Sequence, residues 1–211
     1  MAVIGLTGNI GSGKTTVCQL LAARGCLCLN ADLLGRSVSE PGGEAYEQLR
    51  QSFGAEFFSP DGWLLRPRMA DLVFNDKEQL ARLNGIIHPA VRRVLCQKIA
   101  AVQAEEPQRV IVVEAALLVE ADYLSILNQL WLVWADDDVR LKRVMSRDKL
   151  DRQQALARMN NQMPQAQKAK YARYIVHNNN GRGELEQELA QVWQQFCQDF
   201  PSIMMEQAGP A

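Results

Sequence analysis

A glycine-rich segment near the N-terminus constrains this chain more than any other feature. Residues 8–15 read GNIGSGKT and match the pattern G-x-x-x-x-G-K-[ST], and the apolar run 3–7 lies directly before them. Glycines allow a tight turn whose backbone N–H groups converge on an anion, and the N-terminus of a following helix adds favourable partial charge. The pattern therefore predicts a loop between a strand and a helix that binds a nucleoside triphosphate.

Two side chains of this phosphate loop have expected roles. Lys14 would reach the β- and γ-phosphates, and Thr15 would give its hydroxyl to Mg²⁺, the cofactor that we expect beside waters and phosphates. A chance glycine turn is the alternative, and the order of strand, turn and helix speaks against it. The residues assigned to the nucleotide here are Asn9, Gly11, Ser12, Gly13, Lys14, Thr15 and Thr16.

Bulk composition argues against several classes of protein. The 211 residues carry a formal net charge of −1, whereas general nucleic-acid binders have a clear basic excess. No apolar stretch approaches the length of a membrane span, and the N-terminus lacks the pattern of a secretory signal. The odd number of five cysteines suits free thiols in a reducing compartment. We therefore expect a cytoplasmic protein without nucleic-acid or membrane partners. We also expect a monomer or a weak homo-oligomer, although the composition does not determine the oligomeric state.

The C-x-C spacing of Cys26 and Cys28 admits two interpretations. One is a metal site, but no second cysteine or histidine pair follows at the required spacing. The other is simple alternation, in which both side chains lie on one face of a strand. We favour alternation.

Five short apolar segments alternate with helical patterns along the chain. The segments are residues 3–7, 26–29, 110–113, 129–134 and 174–176. Near-continuous apolar runs are typical of strands buried on both faces of a parallel sheet, and their alternation with helices predicts βαβ units. We therefore predict an α/β fold with a five-stranded parallel sheet. The first helix is expected at residues 15–24, ending before Gly25.

The connection between the second and third segments is unusually long. It spans about 80 residues, far more than the dozen or so that a simple crossover needs. Helical patterns occur at residues 44–53, 66–74, 77–87 and 89–104. We predict an inserted helical subdomain that binds the substrate, with a break at His88–Pro89. His88 is a candidate substrate contact, although a lone histidine is more often structural.

A second insert lies between the fourth and fifth segments. Two basic helical stretches, 139–147 and 152–162, are joined by residues 148–151. Arg143 and Arg147 are four positions apart and share a helix face. Guanidinium groups suit the stabilisation of phosphoryl oxygens beneath a mobile lid that excludes water. An ordinary solvated helix is the alternative, and the phosphate loop in the same chain favours the lid.

The segments predict one domain at residues 1–200. Its core comprises residues 1–32, 108–138 and 170–200, with the helical insert at 33–107 and the lid at 139–169. Residues 201–211 show no periodicity, and we expect a frayed tail there.

Acidic residues follow the second and third strands. Asp32 would lie at the sheet edge beside the phosphate loop, where phosphoryl transfer needs a carboxylate to accept or orient the proton of an attacking hydroxyl. Its position fits equally well with capping of a helix that starts at Leu33. Glu114 ends the third strand, where nucleotide-binding proteins place the carboxylate that orients metal-bound water. A solvated strand end is the alternative there.

Together these segments resemble the bacterial dephospho-coenzyme A kinase family over roughly residues 3–185. The matching stretches are GLTGNIGSGKTT at 5–16, NADLLGR at 30–36, EPGG at 40–43, LNGIIHPAVR at 83–92, EAALLVE at 114–120, LKRVMSRD at 141–148 and RMNNQM at 158–163. The phosphate loop alone is widespread, whereas these stretches in this order are far more specific. The resemblance implies a P-loop kinase-like, three-layer α/β/α fold with an acceptor-binding insert and an arginine-rich lid.

The resemblance also implies a reaction and its partners, ATP and dephospho-coenzyme A. The γ-phosphoryl group of ATP would pass to the 3′-hydroxyl of dephospho-coenzyme A, the last step of coenzyme A synthesis, with Mg²⁺ held through Thr15. Asp32 would be the general base, assisted by Lys14 and the lid arginines. The implied acceptor contacts are Asp32, Arg36, His88, Glu114 and Leu117, and the further ATP contacts are Arg143, Arg147, Asn178 and Asn179.

Several positions depart from the family's usual pattern. Asn30 stands where the family commonly has the first aspartate of D-A-D, and it cannot replace Asp32 as base. Ala116 stands where proline usually precedes the next motif, so we expect a less rigid loop. Arg173 replaces a usual aspartate, and residues 177–180 read HNNN in place of an aspartate-asparagine run that helps frame adenine in relatives.

Two other functions share some of these sequence features. A nucleoside monophosphate kinase would also have a phosphate loop, an acceptor insert and an arginine lid, but the EPG and HP elements favour the coenzyme A precursor. A GTPase-like switch needs an N-K-x-D motif to select guanine, and none occurs in the sequence.

Overall fold

The computed structural model describes residues 2–201, so the predicted tail at 201–211 lies outside it except for its first residue. The elements are β1 Val3–Thr7, α1 Lys14–Ala22, β2 Leu27–Asn30, α2 Ala31–Ser37, α3 Tyr46–Phe53, α4 Arg66–Asn75, α5 Lys77–Glu105, β3 Ile111–Glu114, β4 Gln129–Trp134, α6 Asp137–Asp148, α7 Arg152–Asn160, α8 Gln165–Ala169, β5 Tyr174–His177 and α9 Arg182–Asp199. Each of the five strands lies within one residue of its predicted bounds at both ends.

The strands form one sheet in the order β2-β3-β1-β4-β5. The central strand, β1, pairs in parallel with β3 and β4, and β4 pairs in parallel with β5. Every residue of β1 and β3 is buried, which explains why these strands read as continuous apolar runs rather than as alternating ones. The predicted three-layer α/β fold with a five-stranded parallel sheet is confirmed.

One face of the sheet packs against α1 and α9. Its largest side chain is Trp131, which is fully buried and meets the rings of Tyr174, Trp193 and Phe196 edge-on, with centroids 5.6, 6.4 and 5.4 Å away. Edge-to-face packing of this kind adds to the free energy of burying the rings. Cys26 belongs to the same cluster, and Cys28 packs against it, as alternation along one strand face predicts. The helix that follows the phosphate loop is thus fixed against the sheet.

The described residues divide into two compact units. The first contains the sheet, the phosphate loop and α6–α9, from residues up to Leu29 and from Ala100 onward. The second, Asn30–Ile99, contains α2–α4 and most of α5. Within residues 2–201, none of the helices combines the length and the apolar character that crossing a membrane requires.

The predicted break at His88–Pro89 is wrong. A single helix, α5, runs through this position with Pro89 inside it. Proline has no N–H to donate to the carbonyl of Gly85, which normally costs about 3 kcal/mol inside a helix. The helix continues because its packed face extends on both sides of the proline, which itself faces solvent. The buried residues of this face are Ile86, Ala90, Val91, Leu95 and Ile99.

Candidate active site

The phosphate loop joins the central strand to α1. Gly13 is the N-cap residue of α1 with φ 92°, and Gly11 has φ 80°, so both adopt the left-handed conformation that glycine tolerates best. A Cβ atom at Gly11 would also lie 2.8 Å from the backbone carbonyl oxygen of Arg140. Because α1 starts at Lys14, its first N–H groups have no partner within the helix and suit an anion. The strand, turn and helix that the sequence predicts are all present.

Thr15 and Glu114 are brought together at this loop. The Thr15 hydroxyl donates a hydrogen bond to the Glu114 carboxylate, with 3.0 Å between Oγ1 and Oε1. Glu114 ends β3 and is 6% exposed, so its charge is held close to the loop. Lys14 crosses the loop and donates from Nζ to the Gly8 carbonyl at 2.8 Å. The Lys14 ammonium, the Thr15 hydroxyl and the Glu114 carboxylate therefore all lie at the phosphate loop.

The loop is anchored by the segment that follows α7. Asn9, only 2% exposed, donates from Nδ2 to the Met163 carbonyl at 2.9 Å. The Ile10 N–H donates to the side-chain carbonyl of Gln162 at 2.7 Å. Ser12 is fully buried in the same loop. Sequence reasoning missed the anchoring role of Gln162, because the RMNNQM stretch indicates a family resemblance but not a contact.

Arg143 on α6 links the phosphate loop to the turn after β5. Its guanidinium donates to the carbonyls of Asn178 at 2.8 Å and Gly11 at 3.4 Å. Asn178 in turn is buried and donates from Nδ2 to the Ser12 carbonyl at 2.8 Å. The neighbouring Asn179 accepts the Asp136 N–H at 2.7 Å. Three of the residues predicted to contact ATP, Arg143, Asn178 and Gly11, therefore lie together.

Arg147 occupies a different environment from Arg143, although both lie on α6. It pairs with Asp148 through two hydrogen bonds, from Nε at 2.7 Å and from Nη2 at 3.0 Å. Arg158 of α7 reaches the same carboxylate at 3.1 Å. The Arg147 guanidinium holds the pKa of the Asp148 carboxyl below its usual value. The structure thus groups Arg147 with Asp148 and Arg158.

A fully buried lysine fixes the loop that follows Glu114. Lys168 on α8 is 0% exposed, and its Nζ donates to the Ala116 carbonyl at 2.5 Å and pairs with Glu120 at 2.9 Å. The Ala116 carbonyl also accepts the Thr7 hydroxyl at 3.2 Å. This loop carries Leu117, which is exposed. Sequence reasoning missed Lys168 because a single lysine in a polar helix carries no signal of burial.

In the second unit, Asn30 caps α2. Its side-chain oxygen accepts the Leu33 N–H at 2.8 Å, and α2 begins at Ala31 rather than at Leu33. The alternative that Asp32 caps this helix is therefore wrong: Asp32 already lies in the first helical turn, and its side chain is exposed. The side-chain amide of Asn30, which stands where the family commonly has an aspartate, caps α2. The carboxylate of Asp32 therefore has no capping role.

The second unit also fixes α2 against α5. Gly35 faces two branched side chains of α5, since a Cβ there would lie 3.8 Å from Ile87, which directly precedes His88, and 3.9 Å from Val91. Burial lowers the pKa of His88 below its ordinary value. Arg66 donates to the Arg36 carbonyl, while Arg36 itself points outward as an exposed side chain. The residues predicted around the acceptor in this unit thus lie on two packed helices.

The second glycine of the EPGG stretch, Gly43, has a steric reason. Gly43 donates its N–H to the Glu40 carbonyl at 2.8 Å and closes a turn after α2. A Cβ atom at Gly43 would overlap the carbonyl groups of Ser37 and Val38. This turn therefore requires a glycine at position 43.

Comparison with known proteins bears on the identity of this site. A family model described as dephospho-CoA kinase matches residues 2–184. The chain belongs to the dephospho-CoA kinase family. The dephospho-CoA kinase of Moorella thermoacetica is 36% identical over 199 residues, covering 93% of this chain and 92% of the relative. As a member of this family, the chain is an ATP-dependent kinase.

Solved structures share the fold of this chain. The crystal structure of TT1252 from Thermus thermophilus has a TM-score of 0.79 and 35% identity, with coverage of 94% of this chain and 97% of that one. The dephospho-CoA kinase of Campylobacter jejuni has a TM-score of 0.69 at 24% identity, with coverage of 93% and 98%, and shares the fold.

The departures from the pattern of dephospho-CoA kinases have local compensations. Ala116, where proline is usual, has its carbonyl held by Thr7 and Lys168, so the loop is tied at this point without a proline. Arg173, where aspartate is usual, pairs with Asp199 of α9 at 3.1 Å. Neither departure removes a group from the phosphate loop.

Proposed function

We propose that this chain transfers the γ-phosphoryl group of ATP to the 3′-hydroxyl of dephospho-coenzyme A. The match of the dephospho-CoA kinase family model to residues 2–184 is the observation that carries the proposal. The loop built from β1, Gly13 and the N-terminus of α1 supports it, because this geometry suits the phosphates of a nucleotide.

The phosphate loop would bind the donor. Lys14 would leave the Gly8 carbonyl for the β- and γ-phosphates, and the first N–H groups of α1 would bind phosphate oxygens. The Thr15 hydroxyl and the Glu114 carboxylate fit Mg²⁺, because both are hard oxygen donors and lie 3.0 Å apart. When bound, the ion would neutralise charge on the phosphate oxygens. Thr15 would be its ligand, and Glu114 would accept hydrogen bonds beside it.

Asp32 would act as general base for the acceptor hydroxyl. Its carboxylate is exposed in the first turn of α2, and the capping task there is performed by Asn30. A carboxylate within reach of the attacking hydroxyl accepts its proton as the new bond to phosphorus forms. Arg36, His88, Glu114 and Leu117 are the further residues that we assign to the acceptor.

Arg143 and Arg147 would stabilise charge on the transferred group. Arg143 already contacts Gly11 and Asn178, so it is close to the donor side of the site. Arg147 would exchange its bonds to Asp148 for phosphate oxygens when the lid closes. Asn178 and Asn179 would frame the adenine.

A substrate comparison tests this function. Purified protein with ATP and Mg²⁺ should form ADP rapidly with dephospho-coenzyme A and slowly with AMP, CMP or UMP as acceptors. Mass analysis of the product should show one added phosphoryl group, located at the 3′ position by phosphorus NMR. A Lys14→Met variant is the matched control and should lose turnover with every acceptor. Preference for a nucleoside monophosphate would overturn the proposal in favour of the alternative kinase.

We also propose that the protein works in the cytoplasm as a monomer or weak homo-oligomer. Five cysteines that are all free support a reducing compartment. Light scattering over a range of protein concentrations tests the oligomeric state, and a stable dimer at the lowest concentration would contradict it.

A further inference from the structure

One peptide group of the phosphate loop, between Asn9 and Ile10, is held at both ends. Its N–H, on Ile10, donates to the side-chain carbonyl of Gln162 at 2.7 Å. Its carbonyl, on Asn9, accepts the Ser12 N–H at 3.1 Å. The orientation of this peptide group is therefore set by one bond inside the loop and by one from a residue 152 positions away.

The side chain of Asn9 adds a second bond from outside the loop. Asn9 is 2% exposed, and its Nδ2 donates to the Met163 carbonyl at 2.9 Å. Two successive residues of the loop are thus bonded to two successive residues of a distant segment. A displacement of that segment would therefore displace the backbone of the loop.

The segment that supplies these bonds, residues 162–168, is itself fixed to the ends of two other strands. The buried amide of Gln165 accepts the Ala135 N–H at 3.4 Å and donates to the Ala135 carbonyl at 2.9 Å, directly beyond β4. The buried Lys168 donates to the Ala116 carbonyl at 2.5 Å, beyond β3. We call residues 162–168 the supporting segment, because it bonds to the chain beyond β1, β3 and β4.

The orientation of loop peptides matters for binding an anion. A phosphate is bound by N–H groups that converge on it, and a carbonyl turned towards it would repel it. If Gln162 offered no acceptor, the Ile10 N–H would lose its bond, and the peptide group would be free to rotate away from Ser12. The nucleotide would then have to order the loop as it binds, and that ordering lowers affinity.

We propose that Gln162 is a positioning residue for the nucleotide. It holds the Asn9–Ile10 peptide group from the supporting segment, so that the phosphate loop is already ordered when ATP binds. Gln162 acts through Ile10 and not on the phosphates themselves. The role rests on the proposed function only for the donor, ATP. Because an ordered loop serves the ground state and the transition state alike, its loss weakens ATP binding more than it lowers kcat.

The chain offers a matched control at the other end of β1. The side-chain carbonyl of Asn128 accepts the Val3 N–H at 2.7 Å, a bond of the same kind and length as the one that Gln162 makes. Val3 begins β1, whereas the phosphate loop follows the last residue of that strand. Removing the Asn128 bond should therefore lower stability to a similar extent without disturbing the loop.

Nucleotide affinity provides the first test. Calorimetric titration with a non-hydrolysable ATP analogue and Mg²⁺, without an acceptor, gives the Kd. Gln162→Met keeps the side-chain length but has no carbonyl, and it should raise that Kd about fivefold, the scale for loss of one hydrogen bond. Gln162→Asn is one methylene too short and should have the same effect. Asn128→Leu should keep the Kd of the unsubstituted protein.

Amide hydrogen exchange provides the second test, in the absence of nucleotide. In Gln162→Met the Ile10 N–H has lost its acceptor, so it should exchange about tenfold faster than in the unsubstituted protein. In Asn128→Leu its exchange should be unchanged. Far-UV circular dichroism verifies that each variant is folded.

Three results would refute the positioning role. Unchanged nucleotide affinity in folded Gln162→Met and Gln162→Asn is one, and unchanged exchange of the Ile10 N–H is another. The third is an equal loss of affinity in Asn128→Leu, since a general loss of stability would then explain both effects. Binding is measured without an acceptor, so failure of this role and failure of the proposed transfer to dephospho-coenzyme A are distinguishable.

Discussion

At the scale of single residues, two polar side chains at the start of α2, Asn30 and Asp32, have different roles. Asn30 caps the helix, and Asp32 presents an exposed carboxylate one residue into it. We predict that Asp32→Asn lowers turnover by about 10²-fold or more, the scale for loss of a positioned base, with little change in ATP affinity. Steady-state kinetics and an ATP titration measure the two effects.

Asn30→Ala is the matched variant. It removes the cap and should lower the free energy of unfolding by about 1 kcal/mol, whereas Asp32→Asn should leave it nearly unchanged. Unchanged turnover in Asp32→Asn would show that the carboxylate is not the base.

Arg143 contacts two segments of the proposed donor site, at Gly11 and at Asn178. We predict that Arg143→Ala reduces turnover more than ground-state affinity for ATP, because its interactions strengthen as charge redistributes on the phosphoryl group. The readout is the split between kcat and the KM for ATP. If only that KM rises, Arg143 serves ground-state binding alone.

At the scale of elements, α8 holds the loop after β3 through one buried cation. Removing the amino group in Lys168→Met leaves the Glu120 carboxylate without its partner, while the Ala116 carbonyl keeps only the bond from the Thr7 hydroxyl. Loss of one member of a fully buried pair costs about 3–5 kcal/mol. Because the Glu120 side chain is 23% exposed, the free energy of unfolding should fall by less than that in urea titrations, but by more than it does at an exposed pair.

The exposed pair between Arg182 and Glu186 provides the control for Lys168. Because solvent screens such pairs, Arg182→Ala should change the free energy of unfolding by no more than about 0.5 kcal/mol. Equal effects of the two substitutions would mean that burial of Lys168 does not set the strength of its pair.

Pro89 lies on the solvent side of α5 and leaves one helical hydrogen bond unmade. Pro89→Ala restores the N–H that the Gly85 carbonyl can accept, so the free energy of unfolding should rise by about 1–3 kcal/mol. Gln103→Ala, on an exposed position of the same helix, should stay within about 0.5 kcal/mol of the unsubstituted protein. A lower stability of Pro89→Ala would contradict the prediction.

At the scale of the whole molecule, burial of His88 makes stability depend on pH. Because burial lowers its pKa below the ordinary 6.5, the unfolded chain binds a proton at a higher pH than the folded protein does. The contribution of His88 is therefore fully present above that ordinary value and is lost as pH falls through the range down to the folded pKa.

We predict that the free energy of unfolding falls more between pH values above and below 6.5 in the unsubstituted protein than in His88→Asn. Urea titrations at the two pH values measure the difference. Equal falls in both proteins would mean that His88 is as hydrated in the folded state as in the unfolded one.

The chain's elements could be predicted where one local signal decides them. Continuous apolar runs located the five strands, because a strand buried on both faces needs apolar residues at consecutive positions. The glycine pattern located the phosphate loop, because the tight turn depends on glycines at fixed positions within a few residues. Local rules failed at Pro89 and at the cap of α2. At Pro89, packing of the buried face of α5 outweighs one missing helical hydrogen bond. At α2, both Asn30 and Asp32 carry a side-chain oxygen that can cap a helix, and their positions in the sequence do not show that Asn30 is the cap.

Sequence by itself determined the strand order along the chain, the phosphate loop and the resemblance to dephospho-CoA kinases. Only the tertiary structure decided how the loop is held: Asn9 bonds Met163 at a separation of 154 residues, and Lys168 reaches Ala116 across 52. The physical reason is that such contacts are made by single side chains whose partners come from distant segments. They leave no periodicity or spacing in the sequence, and they exist only once the sheet has brought those segments together.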